Sequence, residues 1–463
     1  MNTKKKKPIV GLVWLTQSTS KKLQRLLSSN FHLGCGYLQA FLQQGNIESK
    51  QYVLNSVTPE EFARTIIADG IKILGFSCDD TNYYAIRWAA LSVKALNPHI
   101  LIVVGGLTAT YSDELVLRNC QAVDICFRGY SEINFLDVVT THLSGQTWYD
   151  KPAITYRKNS EIVFNPGVKK YAVNNLDCFP SPYLSGFILG EAGIDVGIST
   201  SRGCVFHCTF CNPTAMVERS YAFHSNERVL SEIDFIDSAL HRSGMNGKRI
   251  MLLNEDIFAF YPDRTKKLCN LISENQPRHI LFGCETRIEH LTEDILQSMY
   301  SAGFRLLKFG LESGNPRVLN LIKKVRNLDG SKDGYAAEKD FLERIVIVVR
   351  IAKKIGFHVV AGAIFGLPGE SLADAIETLD FIRKIDVDEY YHNFLQIFPG
   401  TEIFKTHKKW GYHFEVRKDF YPTIYHTYWP YPVELVPTLQ EKLDHSFRKI
   451  NLPNEDIFLP LIL

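Results

Sequence analysis

Short apolar runs without polar alternation recur through the first third of the chain, each followed by a stretch whose apolar residues return every three or four positions. Ile9–Leu15, Ile71–Ser77, Leu101–Gly106 and Val123–Arg128 predict strands. Gly34–Gln44, Tyr83–Leu96, Asp113–Asn119 and Ile133–Leu143 predict helices between and after them. Strands that are apolar on both faces belong to a parallel sheet covered on both sides, so residues 1–145 predict a Rossmann-like, doubly wound α/β domain. Such sheets take ligands at the carboxyl ends of their strands. The turns Ser77–Asp80, Gly105–Thr110 and Arg128–Glu132 lie there, with Ser77, Gly105, Gly106 and Gly129 as candidate contacts.

Residues 146–193 lose the periodicity and gain turn formers, which marks a linker. Ala153–Arg157 and Glu161–Phe164 predict a small hairpin within it, and Cys178 is expected to be a small buried hydrophobe. A longer beat follows over 194–400. Strands are expected at Ile194–Thr200, Arg249–Asn254, Ile280–Cys284, Arg305–Gly310, His358–Gly366 and Tyr390–Ile397. Helices are expected at 226–242, 263–275, 292–302, 316–325, 338–355 and 372–385. Six such units fit a partial (β/α)6 barrel, whose active site would lie at the strand carboxyl ends. Arg326–Tyr335 interrupts the pattern as an insertion. Residues 401–463 form a short, aromatic-rich C-terminal extension with an amphipathic helix expected at Leu439–Ile450.

Composition narrows the function classes. The 52 Lys+Arg against 50 Asp+Glu give a net charge of +2, which argues against nucleic-acid and membrane-surface partners. The apolar run Ile9–Leu15 is too short for a secretory signal, and no apolar stretch approaches the ~20 residues of a membrane span. Ten cysteines, mostly scattered, do not form a disulfide framework, and a reducing cytoplasm is the expected compartment.

Three of those cysteines stand together. Cys204, Cys208 and Cys211 follow the first barrel strand in the pattern C-x3-C-x2-C. Soft thiolates suit iron–sulfur centres, and three of them leave one iron of a cubane open for chemistry. Zinc is the alternative, with His207 as the fourth ligand inside the loop. Other strand ends add polar groups: Asn254-Glu255-Asp256, Glu285-Thr286-Arg287, the string GLESG at 310–314 and GLPGE at 366–370. Glu255 can also be read as an acidic helix cap and Arg287 as a structural salt bridge. Cys284 reads as a buried core thiol.

The cysteine spacing, Phe210 before the last cysteine, GLESG and GLPGE closely resemble the radical S-adenosylmethionine (radical SAM) family. The first domain, through HLGCGYLQAFLQQGN, ILGFSCDD, VVGGLTATYSDELVL and VDICFRGYSEINFLDVV, resembles the cobalamin-binding domain that precedes many such modules. The resemblance covers about residues 30–400. It implies a [4Fe-4S] cluster on Cys204, Cys208 and Cys211, with SAM on the open iron cleaved to a 5′-deoxyadenosyl radical. It also implies SAM contacts from Phe210, Glu255, Arg287, Glu312, Ser313, Ile364, Gly366 and Leu367, and cobalamin contacts from Ser77, Gly105, Gly106 and Gly129. Two departures bear on the corrinoid. The D-x-H-x-x-G motif is absent, because Asn30-Phe-His32-Leu-Gly34 has the wrong spacing, and the usual R-G-E-x-E is Arg128-Gly-Tyr130-Ser-Glu132.

The function this implies is a radical SAM enzyme, with cobalamin-dependent C-methylation of an unactivated carbon in a biosynthetic pathway as the leading reading. A corrinoid-free dehydratase, epimerase or rearrangement enzyme and a non-catalytic cluster or corrinoid carrier are the alternatives. The implied partners are a small-molecule or peptide substrate and an electron donor such as flavodoxin or ferredoxin.

Overall fold

The computed structural model describes residues 9–15, 32–54, 57–167, 175–187, 197–212, 221–242, 249–275, 280–325, 335–418 and 425–428. The side chains of 240, 249–256 and 425–428 also lie outside that description. The chain divides into two compact units. The first is Met1–Ile194 with Met216–Glu218 and Phe414–His426, and the second is Asp195–Ala215, Arg219–His413 and Thr427–Leu463.

In the first unit, β1 (Val10–Trp14) is followed by α1 (Leu33–Gln44), β2 (Ser49–Val53), α2 (Pro59–Asp69), β3 (Ile73–Ser77), α3 (Tyr83–Leu96) and β4 (Leu101–Gly105). Then come α4 (Leu107–Tyr111), α5 (Asp113–Asn119), β5 (Ile125–Phe127), α6 (Glu132–Leu143), β6 (Ile154–Lys158) and β7 (Glu161–Phe164). The sheet order is β2-β1-β3-β4-β5-β6-β7. Pairing is parallel as far as β5 and antiparallel beyond it. Alternate strand residues feed two cores, one on each face. Leu74, Phe76, Ile102 and Val104 pack with Phe62, Ile66, Tyr83 and Val93 of α2 and α3. Ile73, Leu101, Val103 and Ile125 pack with Leu42 of α1 and with Phe135 and Val138 of α6.

Three features differ from the sequence-based expectation. β2 and α2 were not expected. β2 is a half-exposed edge strand with little apolar signal, whereas α2 is announced by a capping box in which Thr58 and Glu61 satisfy each other's backbone. The hairpin β6–β7, expected inside a linker, instead extends the first sheet through β5. Cys178 is exposed in a 3-10 turn rather than buried.

In the second unit, β8 (Ser201–Gly203) pairs antiparallel with β9 (Tyr221–Phe223) on either side of the cysteine loop. α7 (Asn226–Arg242) leads to β10 (Arg249–Phe258), α8 (Pro262–Glu274), β11 (Ile280–Thr286), α9 (Glu293–Ser301) and β12 (Phe304–Glu312). α10 (Pro316–Leu321), α11 (Ala336–Ile355), β13 (His358–Phe365), α12 (Leu372–Ile385), β14 (Glu389–Phe394) and α13 (Glu402–Thr406) follow. Among the described residues the sheet is β10-β11-β12-β13-β14, all parallel. Ile194–Thr200 was expected as a sixth strand of this sheet. Its described part, 197–200, holds only an isolated bridge at Ile198. The described residues therefore form a five-stranded α/β sheet of partial-barrel type. The core of the 326–335 insertion (326–334) and the helix expected at Leu439–Ile450 lie outside the described residues. No helix among the described residues is long and apolar enough to cross a membrane.

Candidate functional site

The cysteine loop leaves β8 without regular structure, and Cys204, Cys208 and Cys211 are all partly exposed. One backbone hydrogen bond closes it on itself and two tie it to the rest of the fold. The Cys211 N–H donates to the Cys208 carbonyl at 3.2 Å, Thr209 N–H to the Ile322 carbonyl at 3.0 Å, and Ile403 N–H to the Thr209 carbonyl at 3.1 Å. Phe206, buried in mid-loop, stacks on His290 with ring centroids 5.6 Å apart and meets Phe260 edge-on at 5.8 Å.

Two buried cations stand beside the loop. Arg287, just past β11 and 9% exposed, lies 3.9 Å over the Phe206 ring. Its Nε donates to Glu289 Oε1 at 2.6 Å, its Nη2 to the Lys324 carbonyl at 2.7 Å, and its Nη1 to Cys208 Sγ at 3.9 Å. Burial pulls the guanidinium pKa down, but Glu289 and the Cys208 and Cys204 sulfurs outweigh it and hold it above the ordinary arginine value. Lys324, after α10, pairs with Glu312 at 3.0 Å. Burial likewise lowers its pKa, and Glu312 with Cys208 among others more than restores it. Both groups stay charged beside the cysteine sulfurs.

Glu312 ends β12 with φ +66°, a left-handed conformation costly for a residue with a side chain. The strand register shifts between Gly310 and Glu312. A Cβ on Gly310 would overlap the Glu312 carboxylate and come within 3.2 Å of Lys324 Nζ, so the first glycine of GLESG makes room for this ion pair. Ser313 is fully buried, and its hydroxyl lies 3.1 Å from Thr378 Oγ1 and accepts from the Asn315 N–H. Of the expected pair, Glu312 keeps some exposure and Ser313 is taken up in packing against α12.

The GLPGE turn is closed on itself. The Gly366 and Leu367 amides donate to Glu370 Oε2 at 2.7 and 3.2 Å, and the Gly366 carbonyl accepts from the Tyr412 hydroxyl at 2.7 Å. Leu367 is buried core, whereas Ile364 on β13 is partly exposed. Phe210 is also partly exposed, and the Glu255 side chain lies outside the described residues. Within the sheet, Glu285 pairs with Lys308, whose Nζ lies 4.8 Å over the Tyr391 ring. A Cβ on Gly362 would strike that ring, and burial, then Glu285 and Glu312, push the Tyr391 phenol pKa up. Cys284 is fully buried. Sequence reasoning missed Lys324, Glu289, Glu370, Lys308 and Tyr391. The spacing Lys308-x-Gly310-x-Glu312, which puts the three on one side of an otherwise apolar strand, could have flagged Lys308.

In the first unit the strand ends behave differently. A Cβ on Gly105 would meet nothing within 4 Å, so this end of β4 is open. Gly106 has φ +97°, and a Cβ there would collide with the Cys78 carbonyl, which makes it a requirement of backbone packing. Gly129, φ +71°, donates its N–H to Thr110 Oγ1 at 3.0 Å, and the Ser77 carbonyl accepts from Asn82 Nδ2 at 3.2 Å. Arg128 is turned inward to Asp113, Thr155 and the Asn165 carbonyl, with Phe164 3.8 Å over its guanidinium. His32 caps α1, its Nδ1 accepting from the Cys35 N–H at 3.2 Å. Burial lowers its pKa against the opposing pull of Asp79.

The donor sets fit the implied groups to different degrees. Three partly exposed thiols beside two buried cations fit a thiolate-ligated cluster. Among the described residues no three His, Cys, Asp or Glu side chains converge on a single metal ion. The ligands of a cubane each hold a different iron and need no such convergence. For a corrinoid the fit is the open carboxyl end of β4 at Gly105, one strand away from the β1/β3 switch point of the 2-1-3-4-5 order.

Comparison with known proteins agrees with this division. Residues 198–382 match the radical SAM superfamily model, and residues 27–139 match the B12 binding domain model. An uncharacterized methyltransferase of Pyrococcus horikoshii is 25% identical over 378 residues, 81% of this chain and 77% of that protein. The cobalamin-dependent radical SAM methyltransferase TokK of Streptomyces tokunonensis is 29% identical over 181 residues, 36% of this chain and 26% of TokK. Among solved structures, the radical SAM methyltransferase TsrM of Kitasatospora setae aligns with a TM-score of 0.69 at 14% identity, covering 89% of this chain and 81% of TsrM. The cobalamin-dependent radical enzyme OxsB aligns with a TM-score of 0.63 at 19% identity, covering 81% of this chain and 51% of OxsB.

Proposed function

From a chain that belongs to the radical SAM superfamily and carries a B12-binding domain ahead of that module, we propose a cobalamin-dependent C-methyltransferase acting on a small molecule or peptide. The observation that carries the reading is the cysteine loop backed by Arg287 and Lys324 at the strand ends of the second unit, with a B12-type sheet preceding it. Relatives described as methyltransferases support the methyl outcome. When bound, the cluster supplies one electron to SAM, and the corrinoid supplies a transferable methyl group.

This chain's own residues do the holding. Cys204, Cys208 and Cys211 bind three irons, and their loop is fixed by backbone bonds to Ile322 and Ile403. Glu312 keeps acceptor capacity beyond its bond to Lys324, which suits vicinal ribose hydroxyls. Ile364, partly exposed on β13, offers an apolar contact for a flat base. Gly105 leaves space at the open strand end for the corrinoid.

The near-neutral charge favours a small molecule or peptide over nucleic acid, although some relatives are tRNA-2-methylthio-N(6)-dimethylallyladenosine synthases. A low-potential electron donor such as flavodoxin or ferredoxin and a reducing cytoplasm complete the proposal. The corrinoid-free reading is favoured by one feature. Arg128 is consumed inside the fold and Tyr130 stands where the family carries an acid.

Anaerobic reconstitution with cobalamin, followed by SAM and reductant, tests the proposal. Corrinoid bands beside the iron–sulfur shoulder, with both S-adenosylhomocysteine and 5′-deoxyadenosine formed, are expected. 5′-Deoxyadenosine without corrinoid retention would move the protein to the second reading, and neither product would make it a carrier.

A further inference from the structure

The guanidinium of Arg287 is held on both edges and one face, and its constraint points at a sulfur. Its planar fork is rigid. Glu289 fixes one edge through Nε, the Lys324 carbonyl fixes Nη2, and the Phe206 ring supports the face. The remaining terminal nitrogen, Nη1, is thereby aimed at Cys208 Sγ, 3.9 Å away. Phe206 lies two residues from both Cys204 and Cys208, so the same plane also braces the middle of the loop. Three of the five N–H donors of Arg287 are committed in this way.

We infer that Arg287 is a positioning residue which orients the Cys208 sulfur toward the cluster and raises the cluster's reduction potential. This rests on the cluster reading above. One-electron reduction adds a negative charge to a centre already held by three thiolates. A fixed positive charge donating N–H to one of those sulfurs stabilises the reduced form more than the oxidised one. Burial keeps salt from screening the effect. Removing the guanidinium would also leave the Glu289 carboxylate unpaired nearby, which acts in the same direction.

The test compares wild type, Arg287→Gln and Arg287→Lys after anaerobic reconstitution. Iron and sulfide are quantified, and the midpoint potential is read by EPR-monitored titration with dithionite and mediators. The glutamine variant is expected at a more negative potential than wild type, with the lysine variant between them, because an ammonium keeps the charge but loses the fork. An Arg287→Gln cluster with the wild-type potential, even at reduced iron content, overturns the inference, since a merely structural role changes occupancy alone. If circular dichroism shows the glutamine variant unfolded, the lysine variant decides: an unshifted potential overturns the inference and a negative shift supports it. Wild-type protein that binds no cluster would overturn the cluster reading itself, an outcome visible before any variant is compared.

Discussion

A mostly parallel sheet and an all-parallel one in the same chain treat their strand ends in opposite ways. In the first unit the ends are built from glycines and self-contained polar contacts. Gly106 allows backbone to approach Cys78, and Arg128 turns back to Asp113, leaving Gly105 open. In the second unit the ends gather buried ions around the cysteine loop: Arg287 with Glu289, and Lys324 with Glu312. Burying charge is costly unless each ion is paired and hydrogen-bonded. The difference teaches that the first sheet spends its buried ion pair on its own packing and leaves Gly105 clear, as the proposed corrinoid site needs, whereas the second concentrates electrostatic cost beside the cysteine sulfurs.

Four sets of substitutions bear on that contrast. Replacing Cys204, Cys208 and Cys211 with Ala is expected to abolish iron binding and SAM cleavage while corrinoid binding survives, measured by iron content, product formation and corrinoid absorbance. Concurrent loss of corrinoid would dissolve the distinction between the two ends. Lys324→Met leaves the partly covered Glu312 without its cation and is expected to cost up to about 3 kcal/mol in denaturant unfolding. Adding Glu312→Gln should recover part of that. Gly106→Ala is expected to destabilise by more than about 1 kcal/mol through its positive φ and the Cys78 carbonyl. Gly105→Ala should leave stability within about 0.5 kcal/mol and weaken corrinoid retention instead.

The smallest effect concerns acid stability. Burial raises the pKa of Asp374, but bonds from the Ser371 hydroxyl and amide and the Arg317 charge win and hold it below the usual aspartate value. A depressed carboxylate contributes stability above its unfolded pKa and loses it as pH falls through the lower folded value. Asp374→Asn should therefore cost about 1 kcal/mol at neutral pH and flatten the acid limb of a stability–pH curve, with little change at the most acidic end.

How much was legible in the sequence follows from range. Strands such as Leu101–Gly105 and helices such as α7 and α12 announce themselves through local periodicity and caps. β2 did not, because an edge strand has only one residue fully buried, Tyr52. The cysteine loop was visible as spacing, yet its cations were not. Lys323 and Lys324 are adjacent and chemically alike, but one reaches Glu402 on the surface and the other is buried against Glu312. Ser313 and Leu367 sit in ligand-like motifs and turn into the core, and no one-dimensional pattern separates a motif residue that faces the ligand from its neighbour that holds the turn.

The bonds from Ile403 to Thr209 and from Tyr412 to Gly366 carry a practical lesson for anyone transplanting this module. A graft ending at residue 400, where the repeating pattern stops, would omit both stitches and leave the cysteine loop tethered on one side. Splice points beyond Tyr412 preserve them, so the portable piece is longer than its repeats suggest.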